Sequence, residues 1–315
     1  MEHASRPVIL PAGAEGIAEA ARILREGGLV AVPTETVYGL AARADRDASV
    51  AGIYRAKGRP SFNPLIVHVA DLASARWLAE FDDRAVKLAE TFWPGALTMV
   101  LPLREGAPIA DAVTAGLPTV ALRCPAHPVM RAVIAGAGLP LAAPSANRSG
   151  GVSPTTAAHV QSSLGDRIDA VVDGGACEAG LESTIVALRG DGRWQVLRPG
   201  PISEARIAAV LGTPSEAVTS QAVEAPGQLA SHYAPGKPVR LNARKAEADE
   251  FHIGFGDVAG DVTLSDTGDL AEAAARLYAL LHHAAAAPQP RIAVAPIPGE
   301  GIGAAINDRL RRAAA

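Results

Sequence analysis

The chain has 315 residues, 49% of them hydrophobic and 20% charged, enough to bury a substantial core and long for a single domain. Lys and Arg number 29 against 33 Asp and Glu, a net charge of −4, so the basic surplus of a protein that lives on nucleic acid is missing. Two cysteines without a CxxC pair give no support to zinc ligation or a disulfide framework, and no apolar stretch is long enough to span a bilayer. A soluble protein of the reducing cytoplasm is the expectation.

Apolar positions at Ile17, Ala20, Ala21 and Leu24 predict a helix over 14–26, ended by Gly27-Gly28, and a strand follows over 29–33. A helix over 47–57 runs into Lys57-Gly-Arg-Pro60. Beyond it the pattern predicts a strand over 64–69, helices over 71–80 and 82–92, and strands over 96–103 and 119–123. A helix from His127 to about Ala135, a strand over 139–143, a helix over 155–164 and a strand over 169–173 come next. Strands over 183–188 and 193–198 are joined by Arg189-Gly-Asp-Gly192, a hairpin signal, and Ser203 caps a helix to Leu211. This alternation predicts an α/β domain over 1–212 with a twisted, open, mixed sheet. Residues 213–237 are rich in Gly, Pro, Ser and Glu and read as a linker. A smaller α/β unit over 238–315 follows, with strands at 238–242, 251–255 and 291–297 and helices at 269–285 and 303–314. It is small for an independent core and is expected to lean on the first.

The chemistry concentrates in two polar motifs that sit against apolar strands. Lys57, Arg59 and Asn63 surround the first, and Ser145 and Asn147 the second, with no carboxylate in either. A lysine point charge beside an arginine fork suits adjacent phosphate oxygens, and Gly58 would let the backbone approach a ligand. On spacing alone the pair reads equally as solvated cations at a helix end. Residues 145–151 read more readily as a turn than as a site. Arg123 closes a strand at its carboxyl edge, where open α/β sheets gather ligands. His68 lies within an apolar strand and reads first as a core histidine. Gly299-x-Gly301-x-x-Ala304 mimics a dinucleotide fingerprint but lacks the later acidic residue, and His282-His283 has no evident partners.

Taken together, Pro33-Thr-Glu-Thr-Val-Tyr-Gly-Leu40, Lys57-Gly-Arg-Pro60 with Asn63-Pro-Leu65, Trp93-Pro-Gly-Ala-Leu-Thr98, and Ser145-Ala-Asn147 with Ser183-Thr184 resemble the YrdC-like threonylcarbamoyl-AMP synthases. His232-Tyr-Ala-Pro235 and the trailing unit, Rossmann-like in outline, are similar to the long two-domain members. The resemblance implies a positively charged cavity in which ATP, L-threonine and bicarbonate become threonylcarbamoyl-AMP and pyrophosphate. The product would feed threonylcarbamoyladenosine modification of tRNA by a separate transferase. Position by position it implies Thr36, His68, Arg123, Ala143 and Ser183 around threonine. It implies Lys57, Arg59, Asn63, Thr119, Ser145, Asn147, Ser153 and Arg198 around the nucleotide, with Tyr233 reaching back from the linker as part of a lid. Lys57 and Arg59 would carry the transition-state charge, and Mg2+ would ride on the ATP phosphates rather than on protein side chains. The competing expectation is an RNA-binding or ribosome-associated module that uses the same cavity for backbone phosphates. A carbamoyl-transferring maturation factor would need zinc-finger cysteines that this sequence lacks.

Overall fold

The computed structural model of the protein describes residues 7–218, 223–228 and 231–315. The chain opens with β1 (Val8–Pro11), α1 (Ala14–Glu26), β2 (Val30–Val32), β3 (Gly39–Arg43) and α2 (Asp47–Lys57). Next are β4 (Ile66–His68), α3 (Leu72–Ala75), α4 (Asp83–Phe92), β5 (Leu97–Pro102), α5 (Asp111–Thr114), β6 (Thr119–Arg123), α6 (Pro128–Ala137) and β7 (Leu141–Ala142). The first unit ends with α7 (Ala157–Leu164), β8 (Ala170–Asp173), β9 (Thr184–Leu188), β10 (Trp194–Arg198) and α8 (Glu204–Leu211). Its ten strands form one mixed sheet in the order β1-β8-β2-β3-β7-β4-β6-β5-β9-β10. The β9–β10 hairpin is antiparallel as its turn predicts.

Strands β1 and β3 escape the sequence pattern. Gly39-Leu-Ala-Ala-Arg43 has little intrinsic strand preference, but it is held antiparallel to both β2 and β7. The predicted helix over 71–80 shortens to Leu72–Ala75, capped by the Asp71 side chain, because Ala79 is drawn into a bridge with Leu103. Apolar side chains cover both faces of the central strands. One cluster gathers α2 and α4 around Leu40, Ile53, Leu88 and Trp194, and another packs α1 and α6 around Leu24, Met130 and Val133.

The second unit contains β11 (Val239–Arg240), β12 (Glu250–Gly254), β13 (Val262–Thr263), α9 (Leu270–Ala286), β14 (Arg291–Val294) and α10 (Ile302–Ala313). Its four strands are all parallel, in the order β11-β14-β12-β13. No helix among the described residues is long and apolar enough to cross a membrane.

The two units interlock. Leu181 and Val152 of the first join the apolar cluster built on Leu277, Tyr278 and Ile306 of the second. His282 has partners after all: its ring stacks on His159 of α7 at 4.0 Å, and its Nε2 lies 3.1 Å from the Ser153 carbonyl. The closest approach is at Gly180, whose φ of +66° is left-handed and whose Cβ, if present, would lie 2.5 Å from Ala275 Cα in α9. Only glycine meets both demands. Gly180→Ala should therefore lower stability by roughly 1–3 kcal/mol, from backbone strain and forced separation of α9. Denaturant unfolding would read the loss, and an unchanged midpoint would contradict this account of the interface.

Candidate functional site

Helix α2 ends in a Schellman turn: the Gly58 N–H donates to the Arg55 carbonyl and the Arg59 N–H to that of Tyr54, with Gly58 at φ +60°. A Cβ on Gly58 would meet nothing within 4 Å. The left-handed backbone by itself calls for a glycine at this turn. The turn drives both flanking cations inward, leaving Lys57 3% and Arg59 8% exposed, so the solvated-cation reading fails.

Lys57 Nζ donates to the carbonyls of Ser145 and Asn147, each at 2.6 Å, tying α2 to the loop after β7. Arg59 is fixed by the Asn63 Oδ1 at 2.6 Å and the Pro64 carbonyl at 2.8 Å. Strands β4 and β6 are parallel, with His68 directly opposite Arg123 at their carboxyl ends. Arg123 Nη1 donates to Thr36 Oγ1 at 2.9 Å, and its Nη2 stands 2.7 Å from Glu35. Arg198, at the end of β10, donates to the carbonyl and hydroxyl of Ser183, whose Oγ also lies 2.7 Å from Thr98 Oγ1.

Thr36, Arg59, His68, Arg123, Ala143, Ser145, Ser183, Arg198 and Tyr233 all line one cavity. Lys57, Asn63, Asn147 and Ser153 are buried behind it, each bonded to a neighbouring group. Thr119, at the start of β6, lies two residues before the Ile66–Ala121 pair and is not among the lining residues. Sequence reasoning missed Glu182 and the roof: Pro226, Gly227 and His232 from the linker. Glu182 places in the cavity wall a carboxylate that neither polar motif contains. Adjacency to Ser183 was the available signal for Glu182, and His232 lies in the linker motif beside Tyr233.

Several buried side-chain atoms at the site have no hydrogen-bond partner, among them Asn63 Nδ2, His68 Nδ1, Asn147 Oδ1 and Tyr233 OH. Orphaned polar groups are costly, and their concentration around one cavity marks a place where a ligand supplies the partners. The remaining space is about 40 Å3, room for about three waters, whereas sites for nucleotide-sized ligands run to about 300–1,000 Å3. The linker itself takes up the room. Gly227 (φ +85°) passes so close that a Cβ there would lie 2.8 Å from Arg198 Cδ and 2.9 Å from the Tyr233 hydroxyl.

The site is strongly electropositive, and burial acts against its charges. Desolvation, reinforced by Arg59, holds the Lys57 ammonium well below its ordinary pKa. Burial likewise pushes Arg59 down to about 10. His68 is pushed to about 3 by burial and by Arg123, and His232 to about 3 chiefly by burial. Among the described residues no group of three His, Cys, Asp or Glu could hold a metal ion.

Residues 22–200 match the Sua5/YciO/YrdC family, described as "Telomere recombination", and residues 202–315 match "Threonylcarbamoyl-AMP synthase, C-terminal domain". The threonylcarbamoyl-AMP synthase of Pyrococcus abyssi is 39% identical over 319 residues, covering 93% of this chain and 92% of that one. The Bacillus subtilis enzyme of the same name is 47% identical over 230 residues, 71% of this chain and 66% of that one. The structure of P. abyssi Sua5 complexed with L-threonine superposes with a TM-score of 0.88 at 35% identity, covering 98% of both chains.

The two buried histidines set a pH dependence. Their native pKa values lie below the unfolded value of about 6.5, so the unfolded chain binds more protons in acid. Their contribution is complete above about pH 6.5 and is lost as pH falls towards 3, by up to about 1.4 kcal/mol per pH unit for each histidine. Unfolding midpoints at pH 8, 6 and 5 should fall a little from pH 8 to 6 and more steeply per pH unit from 6 to 5, and His68→Asn/His232→Asn should flatten the profile. A double variant as acid-sensitive as the parent would refute the assignment.

Proposed function

The chain belongs to the threonylcarbamoyl-AMP synthase family, and we propose that its cavity condenses L-threonine, bicarbonate and ATP to threonylcarbamoyl-AMP and pyrophosphate, as a nucleotidyltransferase. The observation that carries this reading is the convergence of Arg59, Arg123 and Arg198 on one enclosed space, with Lys57 buried just behind it and unpaired hydrogen-bonding groups between them.

Threonine brings a carboxylate, an ammonium and a hydroxyl. Arg123 offers a guanidinium for the carboxylate, and the Thr36 and Ser183 hydroxyls, His68 and the Ala143 wall complete a small polar pocket beside it. The nucleotide phosphates fall to Lys57, Arg59 and Arg198, with Asn63, Ser145, Asn147 and Ser153 as neutral partners and Thr119 at the Asn63 side of β6. Mg2+ enters on the nucleotide's phosphates, because Glu182 is already bonded on both oxygens and no carboxylate cluster is present among the described residues.

The chemistry follows from charge. The threonine amine and bicarbonate give an N-carboxylate and water. A carbamate oxygen then attacks the α-phosphorus, the bond to the β-phosphate bridging oxygen breaks, and pyrophosphate departs. The nucleophile is already an anion, so no strong base is needed. The difficulty is bringing two anions together, and preorganised cations in a dry site offset it. Tyr233 and His232 must withdraw to admit ATP, and their return excludes water from the hydrolysable mixed anhydride. The product is then passed to a tRNA-modifying transferase in the cytoplasm. An RNA-binding reading is disfavoured, since the cations face an enclosed cavity rather than a surface that a strand could follow.

Pyrophosphate release from ATP and bicarbonate should depend on added L-threonine. ATP binding without threonine-dependent release, together with salt-sensitive RNA affinity, would overturn the proposal. Within the active enzyme, Arg59→Ala should cost roughly 2–4 kcal/mol of transition-state stabilisation, read as a fall in kcat/KM. Near-parental turnover would remove Arg59 from the catalytic role.

A further inference from the structure

Glu182 is a buried carboxylate in the wall of a cavity otherwise built for anions. Its Oε1 accepts from the Ser153 hydroxyl at 2.5 Å, and its Oε2 from the Tyr278 hydroxyl and from Arg309 Nε, each at 2.8 Å. Ser153 belongs to the first unit, whereas Tyr278 lies on α9 and Arg309 on α10 of the second. Arg309 has no exposed surface. Its other nitrogens donate to Asp308 at 2.8 Å and to the Pro199 carbonyl at 2.9 Å, and its guanidinium lies 5.3 Å over the Tyr233 ring.

We propose that Arg309 is a positioning residue for the nucleotide site: the small domain inserts its charge to neutralise Glu182, so that a polyphosphate can enter beside that carboxylate. Burial alone would favour the neutral acid, but Arg309 and Arg198 overcome it and hold the Glu182 pKa down to about 2. The carboxylate is therefore an anion throughout the working pH range. Without Arg309 the main cation left to offset its charge is Arg198, which the phosphates also need. An uncompensated Glu182 then competes with ATP for Arg198 and repels the incoming phosphates. The same guanidinium faces Tyr233, so docking of the small domain sets the charge of the site and seats the linker in one contact. Threonine, held at the Arg123 end, is unaffected.

The inference rests on the nucleotide reading, so ATP binding to the parent chain is titrated first. If the parent binds no ATP, the nucleotide reading itself fails. Given parental binding, Arg309→Met should raise the ATP Kd about ten-fold and move KM more than kcat, with threonine affinity changed less than about two-fold. Removing the stranded charge in Glu182→Gln/Arg309→Met should bring the ATP Kd back to within about three-fold of the parent. A purely structural role gives the opposite pattern, with the double variant at least as weak as the single. That result, or an unchanged Kd in Arg309→Met, overturns this inference alone. If both Met variants fail to fold, Arg309→Lys decides. It keeps the charge but loses the fork, so parental ATP affinity supports charge compensation and a ten-fold loss refutes it.

Discussion

Burying a cation in a protein is expensive unless something answers its charge, and this molecule buries four around one small space. Each is answered differently. Lys57 is held by two main-chain carbonyls of the loop after β7, and Arg59 by the Asn63 side chain and carbonyls of its own loop. Arg123 meets Glu35 and Thr36, and Arg198 meets Ser183. All but one of these partners are neutral, so the site keeps an excess of positive potential that an anionic ligand can satisfy. The depressed pKa of Lys57 expresses the same tension. Preorganisation and instability are here one arrangement, in which the fold holds charges apart from water until substrate arrives.

The small domain and the linker complete that arrangement from outside the large sheet. Arg309 and Tyr278 reach Glu182 from two helices of the second unit, and Tyr233 stacks against Tyr278 at 5.6 Å between the ring centres. The linker crosses the cavity in a conformation that Gly227 alone permits at its position, because a side chain there would collide with Arg198 and Tyr233. The closed roof leaves a space of about 40 Å3, far below the size of a typical nucleotide site. Glu35 has a related place at the other end, where it pairs with the Arg123 guanidinium.

Much of the fold was legible from local pattern. The helix α1, with a strong apolar stripe, ends where Gly27 predicts, and α2 spans the expected 47–57. The β9–β10 hairpin follows from its turn, and the family follows from colinear short motifs, several of whose residues sit in or against one cavity. The strand β3 was not legible, since alanine and glycine form it only because β2 and β7 flank it. Nor were the partners of His282, Ser153 and the α7 residue His159, which lie more than a hundred residues earlier in the chain.

The sequence by itself determined which groups are candidates for the chemistry: side chains and motif spacing are local properties, and they single out Lys57, Arg59, Arg123, Ser145 and Asn147. Only the tertiary structure decided whether those cations are buried or solvated, and that the cavity contains a carboxylate. It also decided that a residue near the chain's end, Arg309, answers that carboxylate. The reason is that charge compensation depends on distances of about 3 Å between groups far apart in sequence, and only packing sets such distances.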